Sequence, residues 1–292
     1  MQTHAFRRMA QRCGSAAATA AHTARPLRPR PRAAPRAAPT QQAPPAAAPA
    51  RGCACRAGPQ AAELAPGLRP LPWAGTPEQQ QALEDLRARM EAGQYGSPGD
   101  DLLKWYLRDR YFIVDDAEEK LTSMLRWREA ERIDAVDPSS PGVQAELATG
   151  KAFVHSSTDV YGRPVVIIRV RKHVTGEFPI ADSKRLAGYV LDQAVASLPP
   201  GGEQIMGLFD LRGFELRNAD MQFAAFIVEA FFEYYPRRMG QVLMVDSPWI
   251  FRPTWELIKP LLRKYAALVR FVDRSELSEF FEPGALPEDL KD

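Results

Sequence analysis

Two pairs of side chains in this 292-residue sequence have the types and spacing that acid–base chemistry needs. Glu229 and Glu233 stand four residues apart in an apolar helical stretch, where two carboxylates could share the handling of a proton. His155 and Asp159 could act as a base and the group that orients it. A solvated helix stripe and a structural histidine at a strand end explain the same residues more simply, and we favour these explanations.

Sequence patterns for other chemistries are absent or broken. Neither G-x-S-x-G nor H-E-x-x-H occurs. Gly150 and Lys151 resemble the end of a phosphate-binding loop, but they precede a predicted strand instead of following one. Cys13, Cys53 and Cys55 all lie before residue 63, so the rest of the chain has no cysteine nucleophile or metal ligand. We therefore expect no catalytic residues, no metal and no cofactor, and a protein that is not an enzyme.

Residues 1–62 differ in composition from the rest of the chain. They contain ten Arg, no Lys and no acidic residue, and the first acidic residue is Glu63. This composition predicts an organelle transit peptide, with a disordered basic tail as the alternative. Because the segment is long and rich in Ala, Pro and Arg, we expect a chloroplast destination, with the mitochondrion as the alternative. Residues 63–77 are rich in Pro and Gly and are predicted to be a linker.

Charge and hydropathy narrow the function of residues 63–292. They hold 28 basic and 36 acidic residues, a net charge of −8, which argues against a nucleic-acid binder. The longest apolar run, Phe223 to Phe232, is too short to span a bilayer and contains Glu229. We therefore expect a soluble protein or one that binds membranes peripherally.

Residues 78–135 are predicted to form a small helical domain. Thr76, followed by a proline, is a typical N-cap for the first helix. A second helix is predicted from about Asp100, and Asp115 or Asp116 is predicted to cap a third.

Residues 140–292 alternate between short apolar runs and helical patterns. This alternation predicts an α/β fold with a mostly parallel sheet and flanking helices. The predicted strands are Ala152–His155, Pro164–Val170, Ile205–Leu211, Gln241–Asp246 and Ala267–Asp273, and the predicted helices are Asp182–Ser197, Asn218–Tyr234 and Pro253–Lys264.

The helical stretch Met221–Tyr234 carries more large apolar side chains than one core-facing stripe needs. An apolar loop, Pro248–Phe251, then leads to another apolar helix. A helix that is apolar on two sides is either buried on both sides or covers a cavity, and periodicity leaves both possibilities open.

Several motifs, in order along the chain, resemble those of the CRAL-TRIO lipid-binding family. They are Asp101–Phe112 and Trp127-Arg128 in the helical part, then Asp159–Val166, Phe209–Gly213, Tyr234–Met239 and Asp246–Phe251, with Trp255 and Lys259–Leu262 behind the last. The resemblance covers about residues 78–290. It implies a hydrophobic pocket floored by the sheet and closed by a gate helix, which opens at a membrane to exchange ligand.

The resemblance assigns roles to individual residues. The expected pocket residues are Phe209, Leu211, Phe223, Ile227, Phe231, Leu243 and Val245. The gate helix is expected to run from about Arg252 to Lys264, with Phe251, Trp255, Ile258 and Leu262 facing the pocket or the membrane.

This sequence departs from the family's phospholipid-binding members at their headgroup positions. The glutamate and lysine that serve the inositol phosphate align with Arg237 and Val269. The serine and threonine that serve phosphatidylcholine align with Ile205 and Gly207. These replacements favour a ligand with a small or absent polar head, such as a carotenoid, prenylquinone or tocopherol, over a phospholipid, which stays the alternative. We expect a monomer that carries this ligand between membranes.

A basic cluster supports a second hypothesis, that of a membrane-surface adaptor. Its residues would bind phosphatidic acid or a phosphoinositide in vesicle formation or membrane biogenesis. An ordinary solvated surface is the other interpretation, and the sequence does not decide between the two. The expected headgroup or membrane contacts are Arg171, Lys172, His173, Arg237, Arg238 and Lys259.

Overall fold

The computed structural model describes residues 68–96 and 98–291. Three helices come first, and a region in which five strands alternate with helices follows. The predicted transit peptide, residues 1–62, and the first part of the predicted linker lie outside the described residues. In the described part of the chain, no helix is long and apolar enough to cross a membrane.

The three leading helices are α1 (Pro77–Ala92), α2 (Asp100–Asp109) and α3 (Val114–Glu131). The Thr76 hydroxyl caps α1 as predicted, since it accepts a hydrogen bond from the backbone N–H of Gln79 over 3.4 Å. The helices pack through a shared apolar core. Its fully buried members include Leu86, Leu103, Tyr106, Leu107 and Leu121.

The predicted cap of α3 is wrong. The helix begins at Val114, and its N-cap is Ile113, which makes no side-chain cap bond. Asp115 and Asp116 lie in the first turn instead, because the apolar face of the helix starts before them. There their carboxylates still interact favourably with the helix dipole.

A five-stranded sheet in the order β1-β2-β3-β4-β5 forms the centre of the second region. β1 is antiparallel to β2 and the other pairs are parallel, which confirms the predicted α/β class. The strands are β1 (Ala152–Thr158), β2 (Pro164–Arg169), β3 (Ile205–Asp210), β4 (Met239–Val245) and β5 (Val269–Val272).

Four helices accompany the sheet: α4 (Pro141–Ala148), α5 (Ile180–Ala196), α6 (Met221–Glu229) and α7 (Arg252–Leu262). The last three connect the parallel strands, and α4 precedes β1 and was not predicted. α6 continues into a π-helical segment, Ala230–Tyr234. The Tyr106 hydroxyl lies 3.4 Å and 3.1 Å from the carbonyl oxygens of Glu233 and Tyr234, and it satisfies groups that the helix end leaves free.

The two faces of the sheet have different partners because successive side chains of a strand point to opposite sides. On one face, here called the packed face, six buried side chains contact the C-terminal segment. They are Val165, Ile167, Met206, Leu208, Leu243 and Val245, and they meet Leu277, Phe280, Phe281 and Leu290. The other face, here called the cavity face, lies under α5, α6 and α7.

The leading helices pack directly against the region that contains the sheet. Trp105 Nε1 donates to the carbonyl of Pro236 over 2.9 Å, and the guanidinium of Arg237 donates to the Asp109 carboxylate over 2.6 Å. Leu68 is buried in the core of the cavity face, so this end of the predicted linker is fixed in place. The helices thus brace the turn between the π-helical segment and β4.

Candidate functional site

An apolar cavity lies between the cavity face and the helices α6 and α7. The volume that the centre of a water-sized sphere can reach is about 160 Å³. All unfilled space between the walls, including the part open to solvent, amounts to about 1140 Å³. Its floor comes from β2, β3 and β4, and its cover comes from α6 and α7. The apolar lining includes Ile168, Phe209, Leu211, Phe223, Ile227, Phe231, Met239, Val242, Met244, Phe251, Ile258 and Leu262.

Five of the seven predicted pocket residues line this cavity: Phe209, Leu211, Phe223, Ile227 and Phe231. The three from α6 and its π-helical extension recur every four residues, so they share one side of the helix. The resemblance to the CRAL-TRIO family had assigned these three residues to the pocket.

Leu243 and Val245 do not line the cavity, and their predicted role is wrong. Both are buried in the packed face. Their neighbours Val242 and Met244 take the cavity positions on β4. Because the four residues Val242–Val245 are all apolar, the sequence pattern does not tell which of their side chains face the cavity.

α7 covers the cavity, so it lies where the gate helix was predicted. Phe251, Ile258 and Leu262 line the cavity, but Trp255 does not. Its ring meets that of Phe271 on β5 at a centroid distance of 5.1 Å, in a groove at the outer edge of the helix. Pro260 lies inside the helix and removes one backbone hydrogen bond there.

The outer side of the gate is also apolar. Trp249, just before α7, is 86% exposed, and Leu257 on α7 is 61% exposed. Pro253 and Pro260 are exposed as well, beside the cations of Arg252 and Lys259. The gate therefore presents an apolar surface to the solvent and another to the cavity.

The predicted basic cluster is divided among separate ion pairs. The guanidinium of Arg171 lies 2.5 Å from the fully buried carboxylate of Asp210, which also binds Arg212 at 2.8 Å. Burial alone would raise the pKa of Asp210, but the hydrogen bonds from Arg212 and Arg171 hold it below its usual value. Arg171 thus stabilises the end of β3. Lys172 is exposed, and its ammonium donates to the carbonyl of Thr149 over 2.6 Å.

Two further predicted contacts are also engaged within the protein. Arg237 is buried, adopts a left-handed backbone (φ 57°) and shares the Asp109 carboxylate with Lys120, while its side chain also lines the cavity. Arg238 lies over the ring of Trp105, 3.4 Å from its centroid. Of the six predicted contacts, Lys172 and Lys259 are the two that are exposed. The six residues therefore do not form one continuous surface patch.

His173 lies at the cavity wall, which the sequence did not predict. Its Nε2 is 3.2 Å from the Asp220 carboxylate, its Nδ1 is 3.5 Å from the Lys151 ammonium, and its ring stacks on Phe223 at 4.9 Å. Burial and the nearby Lys151 lower the pKa of His173, and the bond to Asp220 only partly opposes them. The imidazole is therefore neutral near pH 7.

Behind His173 lies a buried polar group that the sequence analysis missed. The Glu146 carboxylate pairs with Lys151 and accepts a hydrogen bond from the Ser183 hydroxyl over 2.9 Å. All three side chains are at least nine-tenths buried. Glu146 belongs to the unpredicted helix α4, so no signal in the sequence joined it to Lys151.

The two candidate acid–base pairs have structural roles or face solvent. Glu229 and Glu233 are exposed, and the Tyr234 hydroxyl donates to Glu229 over 3.1 Å. The buried Asp159 carboxylate binds the Arg163 side chain at 2.6 Å and two backbone N–H groups of its turn. His155 contacts the carbonyl of Ala285. Among the described residues, no group of three or more potential ligands could hold a metal ion.

Comparison with known proteins identifies the region that forms this cavity. A family model described as the CRAL/TRIO domain matches residues 147–291, which include all five strands. Residues 147–291 are therefore similar to the CRAL/TRIO domain.

Relatives and a solved structure match a larger share of the chain than the family model does. A CRAL-TRIO domain-containing protein of Schizosaccharomyces pombe is 30% identical over 56% of this chain and 38% of its own length. The phosphatidylinositol transfer protein CSR1 of Eremothecium gossypii is 30% identical over 65% of this chain and 46% of its own length. The chain thus spans less than half of the length of these two relatives.

The crystal structure of Sfh5 has the same fold. It superposes with a TM-score of 0.57 at 14% identity, over 76% of this chain and 91% of that one. At this identity the likeness concerns the fold alone.

Proposed function

We propose that this protein binds one hydrophobic lipid in the cavity beneath α7 and carries it between membranes without covalent chemistry. The apolar cavity between the sheet and α7 is the observation that carries the proposal. A hydrocarbon chain moved from water into such a space gains about 0.8 kcal/mol per methylene. A relative that is named a phosphatidylinositol transfer protein supports the same class of function.

The outer surface of α7 supports release at a membrane. Trp249 and Leu257 are exposed apolar side chains, and tryptophan is favoured at the boundary between water and lipid. When they enter a bilayer, α7 can move away from the cavity while its inner residues, such as Ile258 and Leu262, stay out of water. The ligand then passes between cavity and bilayer without crossing water.

The ion pairs of the basic residues favour the carrier over the adaptor. A headgroup sensor needs cations that are free to meet a phosphate, whereas Arg171 and Arg237 bind buried carboxylates. Lys172 and Lys259 are left to add electrostatic attraction to anionic lipid. We therefore assign these two residues an accessory role in membrane contact.

We propose an isoprenoid-like ligand and keep a phospholipid as the alternative. The phosphatidylcholine positions of the family hold Ile205, which is buried, and Gly207. A Cβ at Gly207 would lie 3.4 Å from Phe209 and 3.5 Å from Met239, so a larger residue there would meet the cavity floor. Neither position offers a hydroxyl to a headgroup, and Arg237, at the inositol position, is tied to Asp109.

We also propose delivery to the chloroplast, on the composition of residues 1–62. Fusing these residues to a fluorescent protein in plant cells tests this proposal. We expect plastid fluorescence, and mitochondrial or cytosolic fluorescence would contradict it.

A substitution that fills the cavity tests the carrier function. Ile227→Trp places an indole among the lining residues, and we expect uptake of lipid from vesicles by the full chain to fall by roughly tenfold or more. The matched control is Glu229→Gln, an exposed position on the same helix, which should leave uptake unchanged. Undiminished uptake by a folded Ile227→Trp protein would contradict the proposal.

A further inference from the structure

His173 lies where three spaces inside the protein meet. It lines the main cavity under α7, and it lines a side chamber beneath α5 together with Lys151 and Ser183. It also lines a third pocket, with Ser183, Asp220 and the loop before α5. We call Lys151, His173, Ser183 and Asp220 the His173 junction. It is a polar point in a wall that is otherwise largely apolar.

The contacts of the junction fix the state of the imidazole. Asp220 is a carboxylate and can only accept a hydrogen bond, so the proton of the neutral ring lies on Nε2, which faces it at 3.2 Å. Nδ1 is therefore an acceptor. Its partner is the Lys151 ammonium at 3.5 Å, which is long for a hydrogen bond between these groups.

A donor and an acceptor thus lie 3.5 Å apart, and both residues line the side chamber next to the main cavity. A ligand hydroxyl can bridge them, because it accepts a hydrogen bond from Lys151 and donates one to Nδ1 of His173. A carbonyl can only accept, and a hydrocarbon can do neither. A hydroxyl therefore matches the two groups best.

The charges of the junction disfavour an anionic head. Asp220 in the junction and Glu146 next to it, which pairs with Lys151, are two carboxylates against the single ammonium of Lys151, and His173 is neutral. A carboxylate or phosphate at this point would add a third negative charge to a buried group. A neutral head avoids this repulsion.

We propose that the His173 junction binds the hydroxyl of an alcohol or phenol whose apolar tail fills the cavity. The inference rests on the proposed carrier function and adds the class of ligand. His173 and Lys151 then select the ligand by its hydroxyl head. The apolar lining holds the tail without recognising its exact structure.

Three probes with one carbon skeleton test the proposal: phytanol, phytanic acid and phytane. The full chain is incubated at pH 8 with vesicles that contain equal amounts of the three, and bound probe is quantified by mass spectrometry after the protein is separated. We expect the alcohol to exceed both the hydrocarbon and the acid by roughly tenfold, the effect of one buried hydrogen bond that is made or left unmade.

Variants connect this selectivity to the junction. His173→Phe keeps the ring stack on Phe223 but removes the acceptor, so the ratio of bound alcohol to hydrocarbon should fall towards one. His173→Gln restores an acceptor and should recover part of the ratio. Met244→Leu, in the cavity floor on β4, is the matched control and should change the uptake of all three probes alike.

The outcomes separate this inference from the carrier function. Equal retention of alcohol and hydrocarbon, or preference for the acid, by the wild-type protein would overturn the inference while the carrier function stands. Uptake of vesicle phospholipid in place of all three probes would do the same. A folded protein that retains no lipid of any kind would overturn the carrier function, and the inference with it.

Discussion

The two faces of the sheet carry the same kinds of apolar side chain, but one face is packed against the chain and the other borders a cavity. On the packed face, Leu243 and Val245 are fully buried in one cluster with residues of the C-terminal segment. On the cavity face, their neighbours Val242 and Met244 border unfilled space under α6 and α7. Close packing stabilises a fold, so leaving one face unfilled costs stability. The difference shows which face serves the fold and which serves a ligand.

Truncating one residue on each face should show the largest difference in stability between the two faces. Leu243→Ala removes a fully packed side chain and should lower the free energy of unfolding by about 3 kcal/mol. Met244 borders the cavity, so truncating it in Met244→Ala removes fewer packing contacts. The loss in the free energy of unfolding should be about half as large or less. Urea unfolding of the two variants gives the difference. Equal losses would mean that the two faces are equally packed.

Charge reversal of two neighbouring cations that follow β2, Arg171 and Lys172, should give the next largest effect on stability. Arg171→Glu removes a partner of buried Asp210 and should destabilise the protein by about 2 kcal/mol. Lys172→Glu changes an exposed side chain, so its effect on stability should stay within about 0.5 kcal/mol while binding to anionic vesicles weakens. If Arg171→Glu leaves stability unchanged and abolishes vesicle binding, the adaptor hypothesis gains at the expense of the carrier.

Polar substitutions on the outer side of α7 should slow ligand exchange without touching either face of the sheet. Trp249→Ser with Leu257→Ser should reduce the rate of lipid transfer between vesicles by roughly tenfold, because less apolar area enters the bilayer. The thermal midpoint should not change, since both side chains are exposed. Glu256→Gln on the same helix serves as the control. An unchanged transfer rate would show that the membrane meets another surface.

The smallest expected effect is a pH dependence on the cavity face. The pKa of folded His173 lies below the usual 6.5, because of burial and Lys151, and against the attraction of Asp220. The unfolded chain therefore binds a proton more readily than the folded one, so stability falls as the pH drops through about 6.5 and levels off below the folded pKa.

Comparison with His173→Gln isolates this contribution. Between pH 7.5 and 5.5, Tm of the wild-type protein should fall by on the order of 1 to 3 °C more than that of the variant. The carboxylates with lowered pKa, such as Asp210 and Asp289, respond at lower pH and do not enter this window. A parallel fall in both proteins would show that His173 does not titrate as described.

Much of the fold was predictable because its signals are local. The apolar runs gave all five strands, and the family resemblance assigned Phe223, Ile227 and Phe231 of α6 and its extension to the pocket. Amphipathic periodicity also placed α5 and α7 to within a few residues. The signal for each of these strands and helices lies within a stretch of fewer than twenty residues.

The site was only partly predictable because its polar contacts are not local. Lys151, His173 and Asp220 come from three segments, and only the folded chain brings them together. Arg237 looked like a headgroup ligand until its distant partner Asp109 was known. The side of the sheet to which Leu243 points is not revealed by the unbroken apolar run Val242–Val245.

Native mass spectrometry of the full chain, purified without detergent, tests the central claim most directly. We predict a species heavier than the polypeptide by one small apolar molecule, which Ile227→Trp removes. Fragmentation of the complex should release that molecule as an isoprenoid-like compound with a hydroxyl. A spectrum that shows only the polypeptide mass, after exposure to lipid vesicles and under conditions that preserve weak complexes, would contradict the account.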